Sequence, residues 1–150
     1  MKITDLLDPR SISLDAAPTS KSETLDKAVE LMAASGKLSD VEAFRKQVYA
    51  REEESTTGIG EGIAIPHGKS ASVKKIGVAI GVTAREIPWE TLDGKGVKGI
   101  ILFAVGNDNE GAKTHLKLLS LFARKLGNDE VVEQLIKAKE TKEVIAAFAS

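Results

Sequence analysis

A chain of 150 residues that is 42% hydrophobic is sized for one domain with a substantial core. A formal net charge of −1 and a pI near 6.2 leave no basic excess for a phosphate backbone, so nucleic acid is not an expected partner. The absence of cysteine excludes disulfides, thiolate metal sites and a cysteine nucleophile.

The N-terminal MKITDLLDPR has acids and a proline where a signal peptide would need an apolar run, and apolar runs such as 100–105 are far too short to span a bilayer. The expectation is a soluble, cytoplasmic protein. A short strand is expected at 11–14, and DAAPTSKSE (15–23) reads as a loop feeding a helix capped by Ser20 or Ser22. Leu25, Ala28, Val29, Leu31 and Met32 recur at helical spacing and predict a buried stripe. ASGKLSD (34–40) ends that helix, and Ser39 with Glu42 has the spacing of a capping box. A second helix over 40–53 follows, with Arg51 and the acidic run Glu52-Glu53-Glu54 in its last turns. Alone, such a run is most simply a wet helix end.

The next stretch, TTGIGEGIAIPHGKS (56–70), carries Gly58, Gly60, Gly62 and Gly68, with a short strand predicted at 63–65. KIGVAIGVT (75–83) alternates as a strand does. VKGIILFAVG (97–106) is continuously apolar, as for a strand covered on both faces, and LDGKG (92–96) makes the turn between the two. Helices are predicted over 112–126, 129–138 and 141–148, with Gly127 as a stop and Asn128 as a cap. No internal repeat is visible. Glycines at 58, 60 and 62 have the wrong spacing for a dinucleotide fingerprint, and no helix directly follows them. This element order argues for an α/β (α+β) fold, a single domain over 1–150 with one mixed β-sheet flanked by helices.

The chain has two histidines. His67 follows the strand at 63–65, in a loop between Pro66 and Gly68. His115 is expected in the first turn of its helix, inward with Leu119, Phe122 and Leu126, where backbone donors favour an anion. A phosphohistidine needs a neutral ring, one nitrogen free to attack and the other held by an acceptor. Its phosphoryl oxygens need N–H groups or a cation. Pro66 stiffens the backbone before His67, and glycines let peptide groups come close. Each histidine alone has an ordinary reading, as a polar turn residue or a half-buried helix residue. Two histidines and scattered acids lack metal-ligand spacing, so no metal and no cofactor is expected.

Taken together, REEESTTGIGEGIAIPHGK (51–69) and THLKLLSLFARKL (114–126) resemble the fructose–mannitol type of enzyme IIA (EIIA), phosphocarriers of the bacterial sugar phosphotransferase system. The resemblance covers almost the whole chain and implies a mixed sheet flanked by helices. It implies that His67 takes a phosphoryl group from phospho-HPr and passes it to a cysteine of an EIIB domain, with the membrane component EIIC served indirectly. His115 would be the second active-site histidine and Arg51 a stabilising cation, with Thr57 and Gly58 as weaker phosphoryl-binding candidates. A chain without cysteine cannot itself supply the EIIB site, so that site is expected on another chain or on a further part of a larger protein, and the EIIA domain is expected to account for all 150 residues. Residues 88–105 resemble fructose-type members most, while 106–115 lacks the proline found before the second histidine in many relatives. The nitrogen-regulatory branch, in which the phosphorylation state of His67 would govern binding to target proteins, is the alternative. A non-catalytic binding domain is a third reading, on fold alone. Sugar, oligomeric state and the nitrogen of His67 that carries phosphate stay open.

Overall fold

The continuous apolar stretch Val97–Val105 forms the strand on which the fold is assembled. The computed structural model describes residues 2–149 and runs α1 (Ile3–Leu6), β1 (Leu7–Ala16), α2 (Lys21–Ala34), α3 (Val41–Glu54), β2 (Gly58–Gly60), β3 (Ile63–Ala64), β4 (His67–Lys69), β5 (Gly77–Ile87), β6 (Val97–Val105), α4 (Asn109–Leu126), α5 (Asp129–Ile136) and α6 (Thr141–Ala149). The strands make one mixed sheet in the order β1-β5-β6-β3-β2, with β4 also beside β6. β5 runs antiparallel to β6, whereas β3 and β4 both join β6 in parallel. β1 joins β5 in parallel. The expected fold class is the observed one.

Alternation along β6 divides the interior into two cores. Ile101, Phe103 and Val105 pack with Leu118 and Phe122 of α4, Leu135 of α5 and Val144 of α6. Ile100, Leu102 and Ala104 pack with Leu25, Val29 and Met32 of α2 and with Phe44 and Val48 of α3. Both faces of β6 are thus dry, which is why the sequence there shows no polar alternation.

Several boundaries differ from the sequence reading. β1 begins at Leu7 rather than at 11, because it is an edge strand that tolerates Pro9, and its register slips between Leu7 and Ile12. Ser20 does cap α2, accepting from the Glu23 N–H at 3.1 Å. The capping box at Ser39 is not formed. Asp40 caps α3 through the Ala43 N–H at 3.1 Å, while Ser39 donates its own N–H and hydroxyl to the Ser72 carbonyl. A tertiary partner has taken the serine, and the aspartate beside it caps equally well. The glycine-rich stretch makes a tight β2–β3 hairpin in which Gly60, Glu61 and Gly62 have φ of 97°, 56° and 80°. Asp93 clamps this turn by accepting the Glu61 N–H at 2.9 Å.

Gly68 is extended rather than turned. Its reason is packing: a Cβ there would lie 2.6 Å from Phe44 Cε1 and 2.9 Å from Val48 Cγ2 of α3. Gly68→Ala is therefore expected to destabilise the fold by about 1–3 kcal/mol through overpacking. The denaturant midpoint checks this, and an unchanged midpoint would mean that α3 yields freely.

Candidate functional site

His67 lies in β4, not in a loop. Ile63 of β3 faces Gly99, and beyond Pro66 His67 faces Phe103, so both short strands follow β6. Pro66 interrupts the ladder because it has no N–H, yet its carbonyl still accepts from the Phe103 N–H at 3.1 Å. On the far side, the Ile65 N–H donates to the Thr57 carbonyl at 3.0 Å. The Ile65 carbonyl then lies 3.2 Å from Nδ1 of His67. A carbonyl can only accept, so in the neutral ring Nδ1 carries the proton and Nε2 the lone pair.

Pairing with Phe103 sends His67 to the α4 face of the sheet, where its ring meets that of His115 at 4.3 Å between centroids and 53° between planes. Phe103 stands edge-on to His115 at 6.2 Å. α4 starts at Asn109, where Asp108 caps it by accepting the Gly111 N–H at 2.8 Å. His115 is accordingly in the second turn, not the first, and the free N–H groups of the helix start are not beside its ring. Its inward neighbours on α4 are Leu118, Phe122 and Leu126, while Leu119 is only half-buried. Gly111 lets the start of α4 lie against the β6–α4 loop, since a Cβ there would fall on the Gly106 carbonyl.

Both histidines are buried, at 7% and 6% exposure. They are thus more enclosed than a polar turn residue or a half-buried helix residue would be. Their burial means that truncating either leaves a void. Nε2 of His115 is sealed from solvent and has no hydrogen-bond partner among the described residues. Burial lowers the pKa of His67. The Ile65 carbonyl and the Glu52 charge oppose this, and Arg51 and Lys69 reinforce it. His115 is pushed down to about 4 by burial and by the positive charge of His67, Lys69 and Arg51. Near neutral pH both rings are uncharged.

For a histidine lowered in the folded state, the unfolded chain binds more protons as pH falls. Stability from His115 is thus complete above its ordinary value of 6.5 and is lost progressively toward 4. Urea unfolding at pH 7.5 and pH 5 checks this: wild type should lose stability at the lower pH, and His115→Gln should lose less.

Arg51 is half-buried at the end of α3 and donates to the Ser55 carbonyl at 2.9 Å. Its charge reaches both rings. Thr57 gives its N–H (2.8 Å) and its hydroxyl (2.5 Å) to the Glu52 carboxylate, so neither donor is free for another anion. The Gly58 N–H goes to Thr56 Oγ1 at 3.0 Å. A Cβ on Gly58 would meet the Glu90 carbonyl at 2.4 Å, so this glycine serves close strand packing. Glu52 is the residue that sequence reasoning missed. It is buried and paired with Lys21 at 3.1 Å, not a wet helix end. The signal was present, because Phe44, Val48 and Glu52 repeat at intervals of four on the inward face of α3. Among the described residues no group of three or more His, Asp or Glu could hold a metal ion, and no helix is long and apolar enough to cross a membrane.

Residues 5–150 match the family model described as "Phosphoenolpyruvate-dependent sugar phosphotransferase system, EIIA 2". The chain is 38% identical over 146 residues to the fructose-specific EIIABC component of Bacillus subtilis, covering 97% of this chain and 22% of that protein. It thus spans about a fifth of the length of the EIIABC relatives that it matches. It is 34% identical over 134 residues to the fructose-specific EIIA component of Haloferax volcanii, covering 89% of this chain and 85% of that one. The solved nitrogen regulatory protein IIA-Ntr of Neisseria meningitidis superposes with a TM-score of 0.88 at 31% identity, covering 98% of this chain and 99% of that one. With the family model matching nearly the whole of this chain, the chain belongs to the EIIA 2 family of the phosphoenolpyruvate-dependent sugar phosphotransferase system, a family of phosphotransferase components.

Proposed function

We propose that His67 is the phosphoryl-accepting residue of a phosphocarrier and that Nε2 is the attacking atom. One observation carries the reading: two buried imidazoles lie 4.3 Å apart, one with Nδ1 committed to a carbonyl and the other with an unpartnered Nε2. The lone pair on His67 Nε2 forms the new P–N bond as the P–N bond to the histidine of phospho-HPr breaks. The donor imidazole keeps that electron pair and takes up a proton from solvent, and the His67 ring becomes a protonated phosphoimidazole. His67 Nδ1–H stays on the Ile65 carbonyl throughout. The phosphoryl oxygens give His115 Nε2 the partner that it lacks, and the charge of Arg51 offsets theirs. Donor and acceptor are both phosphohistidines, so catalysis is chiefly positioning. The onward acceptor is a cysteine of an EIIB domain, which this cysteine-free sequence does not contain.

The fructose-specific relatives support a role in fructose-type sugar uptake, with a membrane EIIC served through EIIB. The likeness to IIA-Ntr supports a second reading, in which His67 phosphorylation governs binding to target proteins. The test is incubation with phosphoenolpyruvate, enzyme I and HPr, followed by intact mass and ¹⁵N-detected NMR of the ring. One acid-labile phosphoryl adduct with phosphorus coupled to Nε2 is expected. An adduct on Nδ1 would overturn the geometry argued above. Transfer from this adduct to an EIIB domain separates the sugar-uptake reading from the regulatory one.

A further inference from the structure

The end of α3 buries a carboxylate on an otherwise apolar face. Glu52 lies on the stripe of Phe44 and Val48, 9% exposed. Placing a charge there is unfavourable unless it is paired and hydrogen-bonded. Its partners are Lys21 and both donors of Thr57. Lys21 is itself anchored by Glu90 at 2.8 Å and lies over the Trp89 ring, 5.0 Å from its centroid. The chain of contacts then continues toward His67. Thr57, fixed by Glu52, accepts the Ile65 N–H at 3.0 Å, and Ile65 accepts Nδ1–H of His67 at 3.2 Å. The carbonyl that sets the ring's tautomer therefore belongs to a residue whose place is set by Thr57, and Thr57's place is set by Glu52. Successive links use different peptide units, so the effect is one of position rather than of polarisation along a single bonded path.

We infer that Glu52 is a positioning residue for His67: from the α3 side of the sheet it braces Thr57 and Ile65, and so holds the imidazole with Nδ1 protonated and Nε2 free. The inference rests on His67 being the phosphoryl acceptor for its meaning, but its structural content is measurable without any transfer. A residue that merely stabilised the end of α3 would leave the ring's tautomer and orientation alone once the protein had folded.

Two variants test this, Glu52→Ala and Glu52→Gln, each compared with wild type by ¹⁵N NMR of the His67 ring and by the rate of phosphoryl acceptance from phospho-HPr. Glu52→Ala should lose the sharp Nδ1–H signature and accept phosphate with kcat lower by about 10–100-fold at little changed KM for the donor, as for a misplaced reacting group. Glu52→Gln keeps an acceptor for the Thr57 N–H, so it should recover the signature and most of the rate. It removes the negative charge, so the His67 ring should titrate at lower pH than in wild type. A folded Glu52→Ala protein with a wild-type ring signature would overturn the inference. If Glu52→Ala does not fold, Glu52→Leu takes its place, and a folded Glu52→Leu protein with a wild-type ring signature would overturn it instead. Should the rings behave as expected while wild type takes no phosphate, the carrier reading fails and the brace stands.

Discussion

His67→Ala is expected to accept no phosphoryl group at all. The substitution removes Nε2, and the chain offers no cysteine and only one other imidazole. That imidazole, His115, is a poor substitute nucleophile because its Nε2 is sealed from solvent. Intact mass after incubation with phosphoenolpyruvate, enzyme I and HPr is the measurement, with circular dichroism to verify the fold. The ring is buried between β6 and α4, so alanine also leaves a void and should cost about 1–3 kcal/mol. His67→Gln fills the space better and should be equally inert while melting nearer wild type. An acid-labile adduct on either variant would sink the assignment of His67.

The second large effect is expected at His115. Its Nε2 lacks a partner now and would gain one from the transferring group. An interaction that strengthens as charge develops acts on the chemical step rather than on docking. His115→Ala should therefore lower the single-turnover rate of acceptance by about 10²–10³-fold, as for loss of one preorganised donor. The donor concentration giving half-maximal rate should change little. His115→Gln keeps an N–H donor and should recover part of the rate. Wild-type rates for His115→Ala with both phospho-HPr and EIIB would remove His115 from the mechanism.

Much of this architecture was legible in the sequence. The apolar run at 97–105 foretold a strand covered on both faces, and the stripes of α2 and α4 foretold their inward sides. Where the reading slipped, non-local contacts had overridden local pattern. Ser39 looks like a cap but pairs with Ser72, and Gly68 looks like a turn residue but makes room for Phe44. The start of α4 was set three residues late because Asp108 is a stronger start signal than the apolar periodicity that follows it. That shift removed the helix-start argument for His115. Of the candidate site, His67, His115 and Arg51 could be picked out as candidates from motif and resemblance. The ring-to-ring distance and the use of Thr57 by Glu52 could not, because both depend on how separate segments meet.

The three residues of β4 divide their duties by face. His67 points toward α4 and pairs in register with Phe103, whereas Gly68 pairs with Ala104 and lies under Phe44 and Val48. One short strand thereby insulates two kinds of selection from each other. Variation among the apolar residues beneath α2 and α3 can retune thermal resistance while leaving the imidazole pair as it is, so long as Glu52 is kept. Variation beneath α4 cannot, because Phe103 touches both the core and His115. An engineer seeking a sturdier protein with unaltered chemistry would work on the α2–α3 side and leave Gly68 and Glu52 untouched.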